Sequence, residues 1–272
     1  MEPSLNRNRG NRNALEPNAR LRQRVGMLAT TLPPPPETLD GAALFLDFDG
    51  TLVELAETPD AIHVPPDLPQ LLLRLAARLQ GRLALVSGRA IRDLERYLSC
   101  RGFAVSGSHG LELRLTDGSS VPLAAPRGLD QAREQVSRFA CAAPGLLVED
   151  KPFSVALHYR RAPERERDVR SLMDGLAQTT GLIVQQGKMV AELRPPGADK
   201  GDAVRAFMLE PAFGGARPLF VGDDLTDEDA FRAAAALGGG GVLVGPTRES
   251  AARWRLDDVA QVKAWLGRLA EA

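Results

Sequence analysis

The stretch Leu44-Phe45-Leu46-Asp47-Phe48-Asp49-Gly50-Thr51-Leu52 constrains this chain more than any other. It opens as an apolar run bounded by turn formers, the pattern of a strand buried on both faces. It then breaks into two carboxylates two positions apart, a glycine and a threonine. In an open parallel sheet, chemistry gathers just beyond the carboxyl ends of the strands, so Asp47 and Asp49 stand where a reaction centre is expected. Gly50 permits a turn sharp enough to aim both carboxylates at one point. Taken alone, Asp-x-Asp reads more readily as a strand followed by an Asx turn.

The rest of the chain repeats the rhythm that the stretch begins. An amphipathic helix over 67–80 carries Leu68, Leu71, Leu72, Leu75 and Leu79 on one side and stops at Gly81. A buried strand follows at 83–86 and ends in Ser87-Gly88-Arg89, then a helix over 91–98 and a strand near 103–106. Strand and helix in alternation predict a doubly wound, Rossmann-like parallel sheet. After Gly110 the order changes. Segments 111–115 and 121–124 flank Asp117-Gly118 and read as a hairpin. Two helix-strand-strand units follow: a helix near 129–141 with strands near 146–149 and 154–159, then a helix over 164–180 with strands at 182–186 and 189–193. That order predicts an antiparallel sheet with both helices on one face, an α+β insert. Beyond Pro195-Pro196 the alternation returns, with strands at 219–221 and 242–244 and a last helix over 259–269. Residues 238–241 are four glycines; no P-loop lysine follows, so they read as a helix-to-strand turn.

Four pieces of the alternating part converge if the sheet is built this way. They are Asp47 with Asp49, Ser87 after its strand, Lys200 at a helix start, and Gly222-Asp223-Asp224-Leu225-Thr226-Asp227 after another strand. Five carboxylates near one crevice repel one another, and a hard divalent cation such as Mg²⁺ resolves this. The alternative for Asp223 to Asp227 is a solvated helix cap, which needs one carboxylate and not three.

Asp-x-Asp-Gly-Thr, the Ser87 turn, Lys200 and the acidic run at 223–227 together resemble the haloacid dehalogenase superfamily of phosphotransferases. The stretches Gly107-Ser108-His109-Gly110-Leu111-Glu112, Glu149-Asp150-Lys151, Ala156-Leu157-His158-Tyr159-Arg160, Glu192-Leu193-Arg194-Pro195 and Gly222 to Asp229 are similar to the trehalose-6-phosphate phosphatase family within it. The resemblance spans about residues 42–270. It implies a haloacid dehalogenase-like core over 39–109 and 196–272, with an inserted cap over 110–195. It also implies an Mg²⁺-dependent phosphatase in which Asp47 is nucleophile, Asp49 is acid and base, and Ser87 and Lys200 offset charge on the phosphoryl group. The metal would be held by Asp47, the backbone carbonyl of Asp49, Asp223 and Asp227, with Asp224 in support. Ser87, Gly88, Arg89, His109, Glu149, Lys151 and Glu192 would bind the sugar phosphate, and Arg194 would orient Glu192 or pack at the hinge. Without the family, Glu149 and Lys151 read as a surface ion pair, and His109 as a turn or core histidine. A phosphosugar mutase, a sucrose-phosphate phosphatase and an inactive phosphosugar-binding protein remain rival readings.

Residues 1–38 are expected to be a disordered tail: six arginines outnumber the acids, and Pro33 to Pro36 form a stiff spacer. No aromatic is interleaved with those arginines to stack on bases, and the net charge is −1, so no nucleic-acid partner is expected. No apolar run reaches 18 residues and no signal-peptide core opens the chain, so no membrane partner is expected. Two cysteines, Cys100 and Cys141, make no disulfide framework. A cytoplasmic monomer acting on a small sugar phosphate is the expectation.

Overall fold

The computed structural model describes residues 32–98, 102–120, 126–197 and 199–271. Its larger sheet has seven strands in the order β11-β10-β9-β1-β2-β3-β4. They are β1 (Ala42–Leu46), β2 (Leu83–Val86), β3 (Ala104–Gly107), β4 (Glu112–Arg114), β9 (Arg217–Gly222), β10 (Gly240–Val244) and β11 (Trp254–Leu256). Every neighbouring pair is parallel except β3 with β4. The opening stretch is the middle strand, and its unbroken apolar run has a direct cause. Leu44 and Leu46 pack into one layer with Leu71, Leu75 and Trp265, while Ala43 and Phe45 pack into the other with Phe207, Phe213 and Phe231. The helices of the two layers include α1 (Leu68–Arg78) and α7 (Val259–Glu271) on one side, α5 (Lys200–Met208) and α6 (Glu228–Ala236) on the other.

The smaller sheet is antiparallel, with the order β5-β6-β8-β7: β5 (Leu147–Asp150), β6 (Val155–His158), β7 (Ile183–Gly187) and β8 (Val190–Arg194). Two helices, α3 (Leu129–Cys141) and α4 (Glu166–Thr180), share one apolar cluster with it, through Val136, Val169 and Met173 against Val155, Leu157, Ala191 and Leu193. Strand residues alternate between faces, so Ala156, His158, Glu192 and Val190 are left for the opposite face. The doubly wound core with an α+β insert is therefore present.

Three expectations change. The segment 111–115 belongs to the core and not to the insert: β4 pairs with β3, because Leu113 and Leu115, two apart, pack on the Phe45 layer. Its expected hairpin partner at 121–124 lies outside the described residues. Gly240 and Gly241 sit inside β10, where added Cβ atoms would lie 2.7 Å from the Trp254 ring and 2.4 Å from the Phe231 ring. β11 had no sequence expectation; it is three residues long and too short for periodicity. Of the expected tail, residues 1–31 lie outside the described residues. Residues 32–38 do not behave as a free spacer: Pro35 is buried, Pro33 O accepts from Arg255 N at 2.9 Å, and Pro36 O accepts from Trp265 Nε1 at 2.8 Å. Among the described residues no helix is long and apolar enough to cross a membrane.

Candidate active site

Asp47 is the first residue past β1, still tied to the sheet through its N–H on Val221 O at 2.9 Å. The chain then folds back at once, with Gly50 N on Val53 O at 2.8 Å and Gly50 at φ +80°. Glycine is required twice over, since a Cβ there would sit 2.2 Å from Asp223 Oδ2. This close approach brings the end of β1 against the end of β9. One ligand atom each of Asp47, Asp223 and Asp227 lie within 4.8 Å of one another. Asp227 is fixed from below, accepting from Asp224 N at 2.8 Å, and Gly222 leaves room for it. Among the described residues, Asp223 Oδ1 is buried without a hydrogen-bond partner, as is Thr51 Oγ1.

Lys200 enters this cluster from the first turn of α5, whose capping box joins Asp199 and Asp202. Its ammonium lies 2.8 Å from Asp47 Oδ1 and 2.6 Å from Asp227 Oδ1, and the residue is 3% exposed. Burial disfavours the ammonium, but Asp227 and Asp47 outweigh it and hold Lys200 charged. Burial pushes the Asp47 carboxyl well above its ordinary value; Lys200 opposes this, while Asp227 and Asp223 add to it. Asp223 is pushed up to about 7, by burial first and then by the charge of Asp227. One buried lysine does not neutralise three clustered carboxylates.

Asp49 faces the same cleft but a different cation. Arg89 grips it through two bonds of 2.7 Å, Nε to Oδ2 and Nη2 to Oδ1. The guanidinium lies 5.8 Å from the ring centres of both Phe48 and Tyr97. Burial works against its charge, and Asp49 more than restores it. Ser87 lies deeper, fully buried, with its Oγ accepting from Arg89 N at 3.1 Å.

The cap contributes a row of polar groups by register. Glu149 pairs with Ala156, Ala156 with Glu192, and Glu192 with Gln185, so all four share the open face of the small sheet. Lys151 donates to Glu192 Oε2 at 2.8 Å and to the Gly88 carbonyl of the core at 3.1 Å. Ser154 Oγ donates to the other Glu192 oxygen at 2.6 Å, and His158 Nε2 lies 2.9 Å from Glu149 Oε2. Burial works against the Glu192 carboxylate, yet the Lys151 ammonium holds its carboxyl far below the usual range. For Lys151 the burial cost is likewise exceeded by Glu192 and Glu149. The cleft between the two sheets, about 200 Å³, is lined by Asp47, Asp49, Arg89, Glu149, Lys151 and Glu192 among others.

A family profile described as trehalose-phosphatase matches residues 45–260, spanning both the core and the inserted cap. The chain belongs to the trehalose-phosphatase family. A probable trehalose-phosphate phosphatase of Sinorhizobium fredii is 44% identical over 210 residues, 76% of this chain and 79% of that one. The trehalose-6-phosphate phosphatase of Escherichia coli is 39% identical over 235 residues, 85% of this chain and 87% of that one. Among solved structures, the C-terminal domain of the C. albicans trehalose-6-phosphate phosphatase superposes with a TM-score of 0.77 at 25% identity, covering 89% of this chain and 99% of that one.

With the trehalose-phosphatase family established, the expected site residues can be placed one by one. Gly88, Arg89, His109, Glu149, Lys151, Glu192, Lys200, Asp47, Asp49, Asp223 and Asp224 line the cleft. Ser87 does not; its hydroxyl is engaged by the Arg89 backbone beneath the surface. The Asp49 carboxylate stands apart from the Asp47, Asp223 and Asp227 cluster and is held by Arg89. Asp224 caps the turn that follows it, accepting from Leu225 N at 2.7 Å. Arg194 is buried and lines a second cavity behind the cleft, not the cleft itself. His109 reaches from the core into the cap, against Gln185 and Glu192.

Sequence reasoning missed Ser154, Gln185 and the Arg248–Glu228 pair that braces the 223–227 turn, with Arg248 Nη2 donating to Asp224 O at 2.9 Å. It also missed the segment from Leu55 to Ile62, which forms the outer wall of the cleft. The alternation of β6 offered a signal for His158, two residues from the partner of Glu149. Arg248 offered none, because it lies in an irregular loop.

Proposed function

We propose that the chain hydrolyses trehalose 6-phosphate to trehalose and inorganic phosphate, through an aspartyl phosphate on Asp47. The observation that supports this most is the cap row of Glu149, Lys151 and Glu192, seated over the Asp47–Asp49 end of the core by the 3.1 Å contact of Lys151 with Gly88 O. Two carboxylates and an ammonium on a buried face suit the hydroxyls of a sugar, bound through charge-assisted hydrogen bonds remote from the phosphate. Arg89 and Lys200 suit the phosphate itself.

Mg²⁺ fits the donor set. Asp47, Asp223 and Asp227 offer hard oxygens, with the backbone carbonyl of Asp49 as a further ligand, and Asp223 Oδ1 is buried without another partner. When bound, the cation supplies charge stabilisation for the carboxylates and the transferring phosphoryl group.

An Asp47 carboxylate oxygen attacks phosphorus in line, the bond to the sugar oxygen breaks, and Asp49 delivers a proton to that oxygen. Water then attacks the aspartyl phosphate, Asp49 takes its proton, and the bond between Asp47 and phosphorus breaks to release phosphate. Arg89 occupies both oxygens of Asp49. A phosphate dianion competes for that guanidinium, and Arg89 turning to the phosphate frees Asp49 to carry the proton. Lys200 keeps Asp47 oriented for attack and opposes the burial that favours its protonated form.

The test is phosphate release from a panel of trehalose, sucrose and glucose 6-phosphates, with and without Mg²⁺. Free phosphate and trehalose in equal amounts, with the trehalose ester preferred, is the expected result. Return of the phosphoryl group to a second sugar hydroxyl without free phosphate would contradict it.

A further inference from the structure

Gln185 belongs to β7, an edge strand of the cap sheet, and is the cross-strand partner of Glu192 on β8. Its side chain does not line the cleft that contains Glu192. It lines a second cavity of about 400 Å³, together with Arg194 and Gln186. His109 borders both cavities, as do Lys200 and Thr226.

The Gln185 amide nitrogen lies 3.0 Å from His109 Nε2. An amide nitrogen only donates, so in this orientation the ring nitrogen accepts and its lone pair is committed. Glu192 Oε2 lies 3.6 Å from the same ring nitrogen. The base of the ring is equally constrained. His109 has φ +57° after Ser108 at +49°, and its N–H donates to Ser87 O at 3.0 Å. Only the missing Cβ of Gly88 admits the ring, since that atom would lie 2.6 Å from Cε1 and Nε2. The histidine is thus anchored on the core loop that faces phosphate, while its tip is held by a cap glutamine and borders a cap carboxylate.

We propose that Gln185 is a positioning residue for sugar recognition, acting on Glu192 through His109; this rests on the sugar-phosphate reading above. The amide fixes the ring, and the fixed ring limits where the Glu192 carboxylate can lie beside Lys151. Both contacts exist only when the cap is seated on the core, so Gln185 ties sugar affinity to cap closure without touching the sugar.

The test uses the full chain with Mg²⁺, and trehalose 6-phosphate and p-nitrophenyl phosphate as substrates. Gln185→Leu is expected to raise KM for trehalose 6-phosphate about 5- to 10-fold, the scale of one lost hydrogen bond. Its kcat, and its action on p-nitrophenyl phosphate, are expected to change less than about twofold on the same grounds. Gln185→Met keeps an unbranched chain and removes only the amide, and it is expected to match, which separates the lost bond from a packing defect. In a His109→Ala background, Gln185→Leu is expected to add nothing, because its route to Glu192 is already cut. Equal losses on both substrates, additive effects in the double variant, or an unchanged KM would overturn the proposal. A wild-type chain that cleaves p-nitrophenyl phosphate but not trehalose 6-phosphate would overturn the substrate reading, and this proposal with it.

Discussion

The Lys151 ammonium of the cap donates to the Gly88 carbonyl of the core across 3.1 Å while also holding Glu192 at 2.8 Å. One side chain therefore joins the cap face proposed for sugar hydroxyls to the core loop proposed for phosphate. Binding made in the cap can drive closure and orient the ester for attack. Lys151→Ala is expected to lower kcat/KM for trehalose 6-phosphate by roughly 10- to 1000-fold, about 1–4 kcal/mol. Hydrolysis of p-nitrophenyl phosphate, which does not reach the cap row, is expected to change much less. Steady-state kinetics on both substrates with folded variants and matched Mg²⁺ decide it; equal losses would assign Lys151 to the fold or to the chemistry.

The cluster of Asp47, Asp223 and Asp227 predicts metal dependence. Chelation is expected to abolish turnover and added Mg²⁺ to restore it. Asp223→Asn is expected to raise the Mg²⁺ concentration needed for half-maximal rate, since Asp223 Oδ1 has no other partner. Titration of activity against Mg²⁺ measures both, and full turnover in rigorously metal-free protein would remove the metal from the account.

Gly50 gives a structural prediction with an internal control. At φ +80° and with Asp223 Oδ2 only 2.2 Å from an added Cβ, Gly50→Ala must move the Asp223 carboxylate. Gly41 has φ +65° and open space around it. Gly41→Ala therefore carries only the backbone strain, on the order of 1 kcal/mol, and is expected to keep its activity. Gly50→Ala is expected to lose most of its turnover as well as stability. Thermal melts and rates of the two variants, side by side, test the contrast.

Much of this was legible in the sequence, for physical reasons that differ by element. β1 is apolar throughout because both of its faces are buried, and that alone placed Asp47 at the mouth of the sheet. The two helix-strand-strand units of the cap kept their periods because each has one dry and one wet face. What escaped was mostly tertiary. The core membership of β4 depends on where Leu113 and Leu115 find a partner layer, and the docking of 32–38 depends on Trp265, more than 220 residues away in sequence. The engagement of Ser87 by Arg89 N, and of Asp49 by the Arg89 side chain, is set by loop geometry that no spacing encodes.

The Glu192 carboxyl, held far below its ordinary value, links the cap to acid stability. A depressed folded pKa gives stability that is present above the unfolded value of about 4.3 and is lost as pH falls through the folded one. Wild-type melting temperature is therefore expected to drop as pH is lowered below that value. Glu192→Gln, already without the ion pair, is expected to be less stable near neutrality and to fall less steeply in acid. Parallel melting curves from pH 7 to pH 3 would show that the pair contributes nothing.

Asp47, the proposed nucleophile, is buried beside Lys200 at the centre of the sheet. Asp47→Asn keeps the shape and removes the attacking anion, so the direct measurement is the rate of phosphate release from trehalose 6-phosphate by this variant and by wild type, at saturating Mg²⁺. A fall of at least roughly 10³-fold, in a variant that still melts cooperatively, is the predicted result. Turnover near the wild-type rate would contradict the aspartyl-phosphate mechanism.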